Sequence, residues 1–545
     1  MDAIVRSSAD IDVAASAAQP MYLRPRVKIE PLLCRWPAWP HLIAPATHAM
    51  NLAYRHLAHL SSFVATPSVH IAAAADPSMV GGPFVCLQQK DVPRVRKLIQ
   101  ETRDSCAQLI EFAEEFRKLD TKLQDTQTGY GLDELYQTLP SVLKGLVELV
   151  YDLNNNPRIN VTEEFLPDAL SNRHTQEICL HDVADDGRTF FMSTPVLDAP
   201  NRLILKAPFD HPLIDDLAAM RLRPASLVEL CNKHVDLIEQ REQFLQMLTS
   251  EAPTRRQPQY TGEGVRIRYF GHACVLLQTA KTSILLDPIT AWERNDGPAS
   301  LTFADLPDHI DYVVITHCHQ DHFVPEFLLQ LRGRVGKIVV PPNGRGNLAD
   351  PSMKLIGRSL GYRNVIVLDA FDSIELPEGE IVSLPFSGEH SGLDISSKQC
   401  VAITLQGKTA LFMVDSDGID QHSYRYIARR LNRDIEALFL GMECRGAPLS
   451  WLYGPLLSKP ISRKDDESRR LSGSNCERAW GIVQELRSRR AYVYAMGQEP
   501  WMKHIMGLEY TPDSVQLTQS SAFIARCNAA GVEAKRLHGC EEFLL

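Results

Sequence analysis

The sequence predicts an α/β protein in which a carboxy-terminal αββα sandwich follows a helix-rich α+β amino-terminal domain. Short β-rich runs with intervening helical patterns recur after residue 262, whereas longer helical patterns predominate before residue 250. A polar, proline-bearing stretch at residues 251–262 separates them and predicts a linker. We therefore expect one domain at residues 21–250 and another at residues 263–545, with residues 1–20 disordered.

The amino-terminal half is predicted from its apolar spacing. Three segments carry apolar residues at helical spacing: Val92–Leu119, Leu139–Leu153 and Ser226–Leu248. Glu177–His181 and Arg188–Met192 favour strands, and Asp185-Asp186-Gly187 predicts the turn that joins them. No spacing in this half is typical of a catalytic site.

The carboxy-terminal half is dominated by β-rich runs. They occur at Val265–Tyr269, Val275–Gln278, Ser283–Leu286, Tyr312–Ile315, Lys337–Val340, Val365–Leu368, Ile381–Leu384, Val401–Leu405, Ala410–Val414 and Ala437–Leu440. Helical patterns intervene, as at Val324, Phe327, Leu328 and Leu331. Many strands with peripheral helices predict two stacked sheets covered by helices.

Composition argues against several classes of protein. The 545 residues are 44% hydrophobic and 23% charged, which is ordinary for globular proteins. The net charge of -10 is mild for this length and offers no basic stripe for nucleic acid. No run has the roughly 18 apolar residues of a membrane span, and no signal-peptide core is present. The twelve cysteines lack paired spacing, so we expect reduced thiols in a cytoplasmic protein.

The most informative segment is a cluster of metal-ligand side chains directly after a predicted strand. Within six positions it carries His317, His319, Asp321 and His322. Because side chains two positions apart share a face of an extended backbone, His317 and His319 can bind one ion while the other two turn toward a second. Imidazole and carboxylate together suit zinc, iron or manganese. A chance polar loop is the alternative, but burying four such groups unpaired would be costly.

Further candidates also follow predicted strands. His272 and Asp287 lie at strand ends, and we expect them to orient a ligand imidazole rather than to bind metal. Glu389 and His390 stand between glycines that permit an unusual backbone. Asp415 ends an apolar strand, a position from which one carboxylate can bridge two ions.

The pattern HxHxDH at residues 317–322, with Gly271-His272 and Asp287-Pro288 upstream, resembles the metallo-β-lactamase superfamily. The resemblance covers about residues 262–510. In typical hydrolases of that fold a histidine and then a bridging aspartate follow, which His390 and Asp415 would match. That resemblance implies a binuclear zinc hydrolase acting on a thioester, ester or phosphodiester.

A narrower resemblance spans nearly the whole chain. The segments at residues 24–27, 37–40, 388–390 and 496–502, together with Asp415, resemble the diiron β-hydroxylases of nonribosomal peptide biosynthesis. It implies the following ligands: His317, His319 and Glu389 on one iron, Asp321 and His322 on the second, and Asp415 as a bridge. Glu389 and Asp415 would be the catalytic residues, because an anionic oxygen ligand stabilises higher-valent iron. Glu443 and His504 would be additional or orienting ligands, or merely structural residues.

The hydroxylase resemblance also implies partners, and it gives the amino-terminal half a role in carrier docking or homodimerisation. The enzyme would be an oxygen-dependent diiron monooxygenase that β-hydroxylates an amino acid tethered to the carrier domain of a nonribosomal peptide synthetase. A separate reductase would supply electrons, because no GxGxxG fingerprint occurs in a strand–turn–helix setting. Neither nucleic acid nor a membrane is expected as a partner. Glu389 as the inward side chain favours two irons and hydroxylation, whereas His390 favours two zincs and hydrolysis. A scaffold that has lost its metals is disfavoured by the intact cluster.

Overall fold

The computed structural model describes residues 20–545, except 77, 78, 80, 126–128, 183–187, 238, 295, 296 and 508. The disorder expected for residues 1–19 and the turn predicted at residues 185–187 lie outside the described residues. Pro20 already belongs to the first strand, Pro20–Leu23. In the described part of the chain, no helix is long and apolar enough to cross a membrane.

The carboxy-terminal half contains two stacked seven-stranded sheets, which confirms the predicted fold class. The strand order of the first sheet is Val365–Val367, Val335–Val340, Ile310–Val314, Ser283–Leu286, Cys274–Gln278, Arg266–Gly271, Glu541–Leu544. The strand order of the second is Ser373–Leu376, Gly379–Leu384, Cys400–Leu405, Lys408–Val414, Ala437–Gly441, Arg490–Tyr494, Glu533–Arg536. Ile267 and Leu286 of the first sheet pack with Phe412 and Phe439 of the second in one buried cluster.

The carboxy-terminal half also contains eight α-helices in its described part. They span Pro325–Leu331, Met353–Ser359, Gln421–Leu431, Leu449–Tyr453, Arg463–Ser468, Cys476–Leu486, Lys503–Met506 and Val515–Ala529. Neighbouring strands in the middle of each sheet run parallel, including Ser283–Leu286 with Ile310–Val314 and Lys408–Val414 with Ala437–Gly441. The carboxyl ends of these strands therefore meet at one edge of the sandwich, where the chemistry-bearing residues follow them.

The described strands of the amino-terminal half form small antiparallel sheets. The largest has the order Trp36–Pro37, Lys28–Leu33, Gln176–His181, Arg202–Lys206. Pro20–Leu23 pairs with Ala225–Ser226 and Leu248–Thr249, and Val147–Tyr151 pairs with Pro157–Val161. The α-helices are Pro40–Ile43, Pro45–Asn51, Leu57–Ala65, Pro67–Ala75, Val92–Ser105, Ala107–Asp125, Asp133–Gln137, Leu166–Ala169, Pro212–Ala219, Leu227–Lys233 and Arg241–Leu245.

Two predicted helices of this half are wrong in part or in whole. Leu139–Leu153 contains a single 3-10 turn, and Gly145, with φ of 77°, ends it before a β-strand begins at Val147. Ser226–Leu248 is divided into short helical segments, because the backbone leaves the helical conformation at His234, where φ is -131° and ψ is 90°. The prediction at Val92–Leu119 is confirmed as two consecutive helices that meet at Cys106.

The predicted strand at Arg188–Met192 is also wrong. Gln176–His181 pairs instead with Lys28–Leu33 and Arg202–Lys206. The Arg188 guanidinium is drawn into a buried ion pair with Glu326, at 2.7 Å, and into a second with Glu30. These interactions hold the segment at the contact between the two halves rather than in a sheet.

The two halves share one hydrophobic core. A single buried cluster includes Ile29 and Phe209 from the amino-terminal half and Phe270 and Leu328 from the carboxy-terminal half. Polar contacts reinforce it, since Arg332 Nη2 lies 2.8 Å from a carboxylate oxygen of Asp215. The amino-terminal half therefore packs directly against the carboxy-terminal sandwich.

Candidate metal centre

Metal-compatible side chains converge at the edge where the parallel strands end. Among the described residues, three groups bring their ligand atoms within 4.8 Å of one another: His317, His319 and Glu389; His317, His322 and Asp415; and His272, Asp321 and His322. All of these side chains are buried. Because the first two groups share His317, and the last two share His322, they form one continuous cluster.

Glu389, and not its neighbour His390, belongs to the first group. Glu389 Oε1 lies 2.8 Å from His319 Nδ1. Its φ of 65° follows a φ of 74° at Gly388, so two successive left-handed residues turn its carboxylate inward. The His390 ring stacks on His319 at a centroid distance of 4.4 Å and points its Nδ1 at Glu389 Oε2, 2.8 Å away. His390 thus braces Glu389 and lies outside the three groups.

Asp415 lies between two imidazoles of the cluster. Its Oδ2 is 3.0 Å from His322 Nε2 and 3.7 Å from His317 Nε2. The preceding residue, Val414, has a φ of 49°, which is unusual for a β-branched side chain and costs about 1–3 kcal/mol. This strained turn at the strand end gives the Asp415 carboxylate its inward direction.

The hydrogen bonds of His317 and His322 determine which nitrogen of each ring faces the centre. His322 Nδ1 donates to Asp287 Oδ2 at 2.8 Å. His317 Nδ1 lies 3.0 Å from Thr316 Oγ1, whose own hydroxyl donates to Asp287 at 2.6 Å. With both Nδ1 atoms protonated, both Nε2 lone pairs point into the cluster, as a metal ligand requires.

His272 has the opposite arrangement. Its Nδ1 accepts a hydrogen bond of 3.1 Å from the backbone N–H of Gly497. A neutral imidazole then carries its proton on Nε2, which faces Asp321 Oδ2 at 3.1 Å. His272 can therefore donate to Asp321 and fix its orientation, but it has no free lone pair for a metal ion.

The residues fit a pair of metal ions. Several buried atoms of the cluster residues have no hydrogen-bond partner: Nε2 of His317, Nε2 of His322 and Oδ1 of Asp415. Burying unpaired polar atoms is costly, and metal ions would supply the missing partners. The mixed imidazole and carboxylate donor set suits iron as well as zinc.

The electrostatics of the cluster also favour bound cations. Burial alone would raise the pKa of Glu389, but the imidazoles of His319 and His390 outweigh it and hold that pKa well below its usual range. Burial and the neighbouring carboxylates raise the pKa of Asp415, although His322 opposes them. Burial and the charges of the same carboxylates raise the pKa of partly buried Glu443 well above its usual value. Such crowding of carboxylates is relieved by positive ions.

The remaining predicted residues lie farther from the centre. The carboxylates of the cluster influence the pKa of Glu443, but Glu443 does not belong to the three groups. His504 lines a small cavity with Trp39 and Gln320. Sequence reasoning did not connect Tyr453 with the metal centre, although its hydroxyl lies 3.4 Å from His319 Nε2. It comes from the helix Leu449–Tyr453, far along the chain, and no local pattern connected it with the metal loop.

Replacing Asp287 with Asn tests the hydrogen-bond network. The substitution removes the anionic acceptor that keeps His322 protonated on Nδ1, so we expect about 10–100-fold weaker binding of the more weakly held metal ion. Competition with a chromophoric chelator measures this affinity. Unchanged affinity for both ions would contradict the orienting role of Asp287. Asp305→Asn is a suitable control, because Asp305 is also buried but pairs with Arg256.

Comparisons with known proteins agree with this geometry. Two family models match the chain: the diiron non-heme β-hydroxylase N-terminal domain at residues 22–253 and the β-lactamase superfamily domain at residues 266–417. The chain is 33% identical over 533 residues to the 4-amino-L-phenylalanyl-(CmlP-peptidyl-carrier-protein) 3-hydroxylase of Streptomyces venezuelae, covering 95% of this chain and 98% of that protein.

The crystal structure of CmlA, a diiron β-hydroxylase from Streptomyces venezuelae, superposes with a TM-score of 0.89 at 32% identity, over 97% of this chain and 100% of that one. A UPF0173 metal-dependent hydrolase of Opitutus terrae is 29% identical, but over only 29% of this chain and 70% of that protein. Similarity along the whole chain thus supports the predicted hydroxylase over the zinc-hydrolase alternative. The chain belongs to the family of diiron non-heme β-hydroxylases.

Proposed function

We propose that this enzyme uses dioxygen to hydroxylate the β-carbon of an amino acid held as a thioester on the carrier domain of a nonribosomal peptide synthetase. The proposal is supported by similarity to the Streptomyces venezuelae relative, which is a 3-hydroxylase of an aminoacyl carrier protein. The observation that carries it is the inward carboxylate of Glu389, 2.8 Å from His319. A carboxylate at this position suits iron in its higher oxidation states.

We assign the ligands as follows: His317, His319 and Glu389 to the first iron, Asp321 and His322 to the second, and Asp415 between them. Two bound iron ions would supply the redox chemistry that activates dioxygen, with electrons from an external reductant. Glu389 and Asp415 are the catalytic residues of this assignment. Their inward directions follow from the left-handed backbone at Glu389 and Val414.

The surrounding residues hold protons at defined atoms. Asp287 and Thr316 keep protons on Nδ1 of His322 and His317. The backbone N–H of Gly497 keeps the proton of His272 on Nε2, directed at Asp321. These contacts preserve the ligand geometry while the charge at the centre changes.

The amino-terminal half contacts the helix that lies beside this centre. His41 Nε2 lies 3.2 Å from the carbonyl of Ala349, and its ring contacts Tyr453 edge-on at 5.8 Å. Arg55 is buried and donates to carbonyls of the helix that carries Tyr453. We propose that this half binds the carrier domain and forms the contacts of a homodimer, and that a reductase delivers electrons to the metals.

Mass spectrometry of aminoacyl carrier proteins tests the proposal. Iron-loaded enzyme, a chemical reductant and isotopically labelled dioxygen should add one labelled oxygen atom to the amino acid of one aminoacyl carrier. The free amino acid, without the carrier, should remain unmodified. Two zinc ions per chain together with oxygen-independent release of the amino acid would overturn the proposal in favour of thioester hydrolysis.

A further inference from the structure

Two cysteines of the amino-terminal half touch each other far from the metal centre. Cys34 Sγ and Cys106 Sγ are 3.2 Å apart, although 72 positions separate them in the chain. Cys34 occupies a tight turn between Lys28–Leu33 and Trp36–Pro37 with a φ of 47°, and Cys106 lies where two helices meet. Both residues are free thiols in this structure.

We propose that Cys34 and Cys106 are an oxidisable pair that forms a disulfide bond when the enzyme encounters hydrogen peroxide. A disulfide bond is about 2.05 Å long, so the two sulfurs need to approach by only about 1.2 Å. Both cysteines lie at breaks between regular elements, where a small backbone shift does not disrupt a helix or a strand.

The electrostatic surroundings make one thiol of the pair reactive. Hydrogen bonding from Cys34, together with Ser105 and His174, lowers the pKa of Cys106 to about 7 although burial opposes it. The same contact raises the pKa of Cys34. Near neutral pH a substantial fraction of Cys106 is therefore thiolate, the nucleophilic form, beside the Cys34 thiol.

The reaction balances in two steps. The thiolate attacks one oxygen of hydrogen peroxide, the O–O bond breaks, and one water leaves after protonation, which gives a sulfenic acid. The second thiol attacks that sulfur, the S–S bond forms, and a second water leaves. Two thiols lose two electrons and two protons, and one hydrogen peroxide is reduced to two waters.

The bond would tie the turn after Lys28–Leu33 to the junction of Val92–Ser105 and Ala107–Asp125. Closing so long a loop reduces the entropy of the unfolded chain, so the oxidised enzyme should have a higher Tm than the reduced enzyme. Hydrogen peroxide is the two-electron reduction product of dioxygen. An oxygen-using enzyme is exposed to hydrogen peroxide whenever it reduces dioxygen without forming product. This source of hydrogen peroxide rests on the proposed function.

Peptide mapping of the full-length enzyme after added hydrogen peroxide tests the pair independently of hydroxylase activity. Trypsin places Cys34 on residues 29–35 and Cys106 on residues 104–117, each peptide with a single cysteine. We expect these two peptides to be joined, with the loss of two hydrogen atoms, and to be released by a reducing agent. The cross-link should persist in Cys86→Ser, which removes an exposed thiol, and disappear in Cys34→Ser.

Two results would overturn the proposal. One is that both thiols remain free, or carry added oxygen, at peroxide doses that oxidise exposed Cys86. The other is that either cysteine joins a different partner. The peptide map of the wild-type enzyme alone distinguishes these results, so the proposal can be tested even if a cysteine variant does not fold.

Discussion

Replacing Glu389 with Gln is expected to reduce product formation by about 10³-fold, because the substitution removes one buried negative charge from the first metal group at almost constant shape. Glu389 Oε1 lies 2.8 Å from His319 Nδ1, and Oε2 lies 2.8 Å from His390 Nδ1. A neutral amide is a weaker ligand and does not stabilise oxidised iron. Single-turnover hydroxylation of the aminoacyl carrier measures the loss of activity. The iron content per chain measures the loss of metal binding.

His390→Gln is the matched control. It changes the adjacent residue, which braces Glu389 through Nδ1 but lies outside the three metal-compatible groups. We expect two irons per chain and less than a tenfold loss of activity in this variant. The opposite result, with His390→Gln inactive and Glu389→Gln active, would contradict the ligand assignment. It would favour the hydrolase alternative, in which His390 binds the metal.

The metal loop could be predicted because its information is local. Three imidazoles and one carboxylate follow a buried strand within six positions, and the parallel strands bring their ends to one edge. The choice between Glu389 and His390 could not be predicted in the same way. It depends on successive left-handed residues at Gly388 and Glu389, and a glycine permits that conformation without requiring it.

The amino-terminal half was less predictable, because pairing with other segments overrides its local propensities. Apolar spacing at Leu139–Leu153 favours a helix, but Gly145 interrupts it and Val147–Tyr151 gains a partner strand at Pro157–Val161. Arg188 leaves a predicted strand because the buried carboxylates of Glu30 and Glu326 require a cation. Glu30 and Glu326 lie 158 and 138 positions from Arg188 in the sequence, so no local pattern could indicate them.

Replacing Asp415 with Ala is expected to lower product formation at least as much as the change at Glu389 does, and to reduce the iron content to one ion per chain or fewer. Asp415 Oδ2 is the carboxylate oxygen that both His317 Nε2 and His322 Nε2 approach. Without it, two cations would face each other across a buried space with no anion between them. Iron analysis, near-ultraviolet absorption of the oxidised centre and carrier hydroxylation together report the loss.

Asp417→Asn separates this effect from general destabilisation, since Asp417 is a buried carboxylate only two positions away. Asp417 pairs with Arg478 at 2.6 Å and accepts from Ser474 at 3.1 Å, outside the three metal-compatible groups. We expect Asp417→Asn to lower Tm but to retain two irons and hydroxylation. Full activity of Asp415→Ala would instead mean that the cluster serves no catalytic role, because no other described carboxylate lies between the two imidazoles.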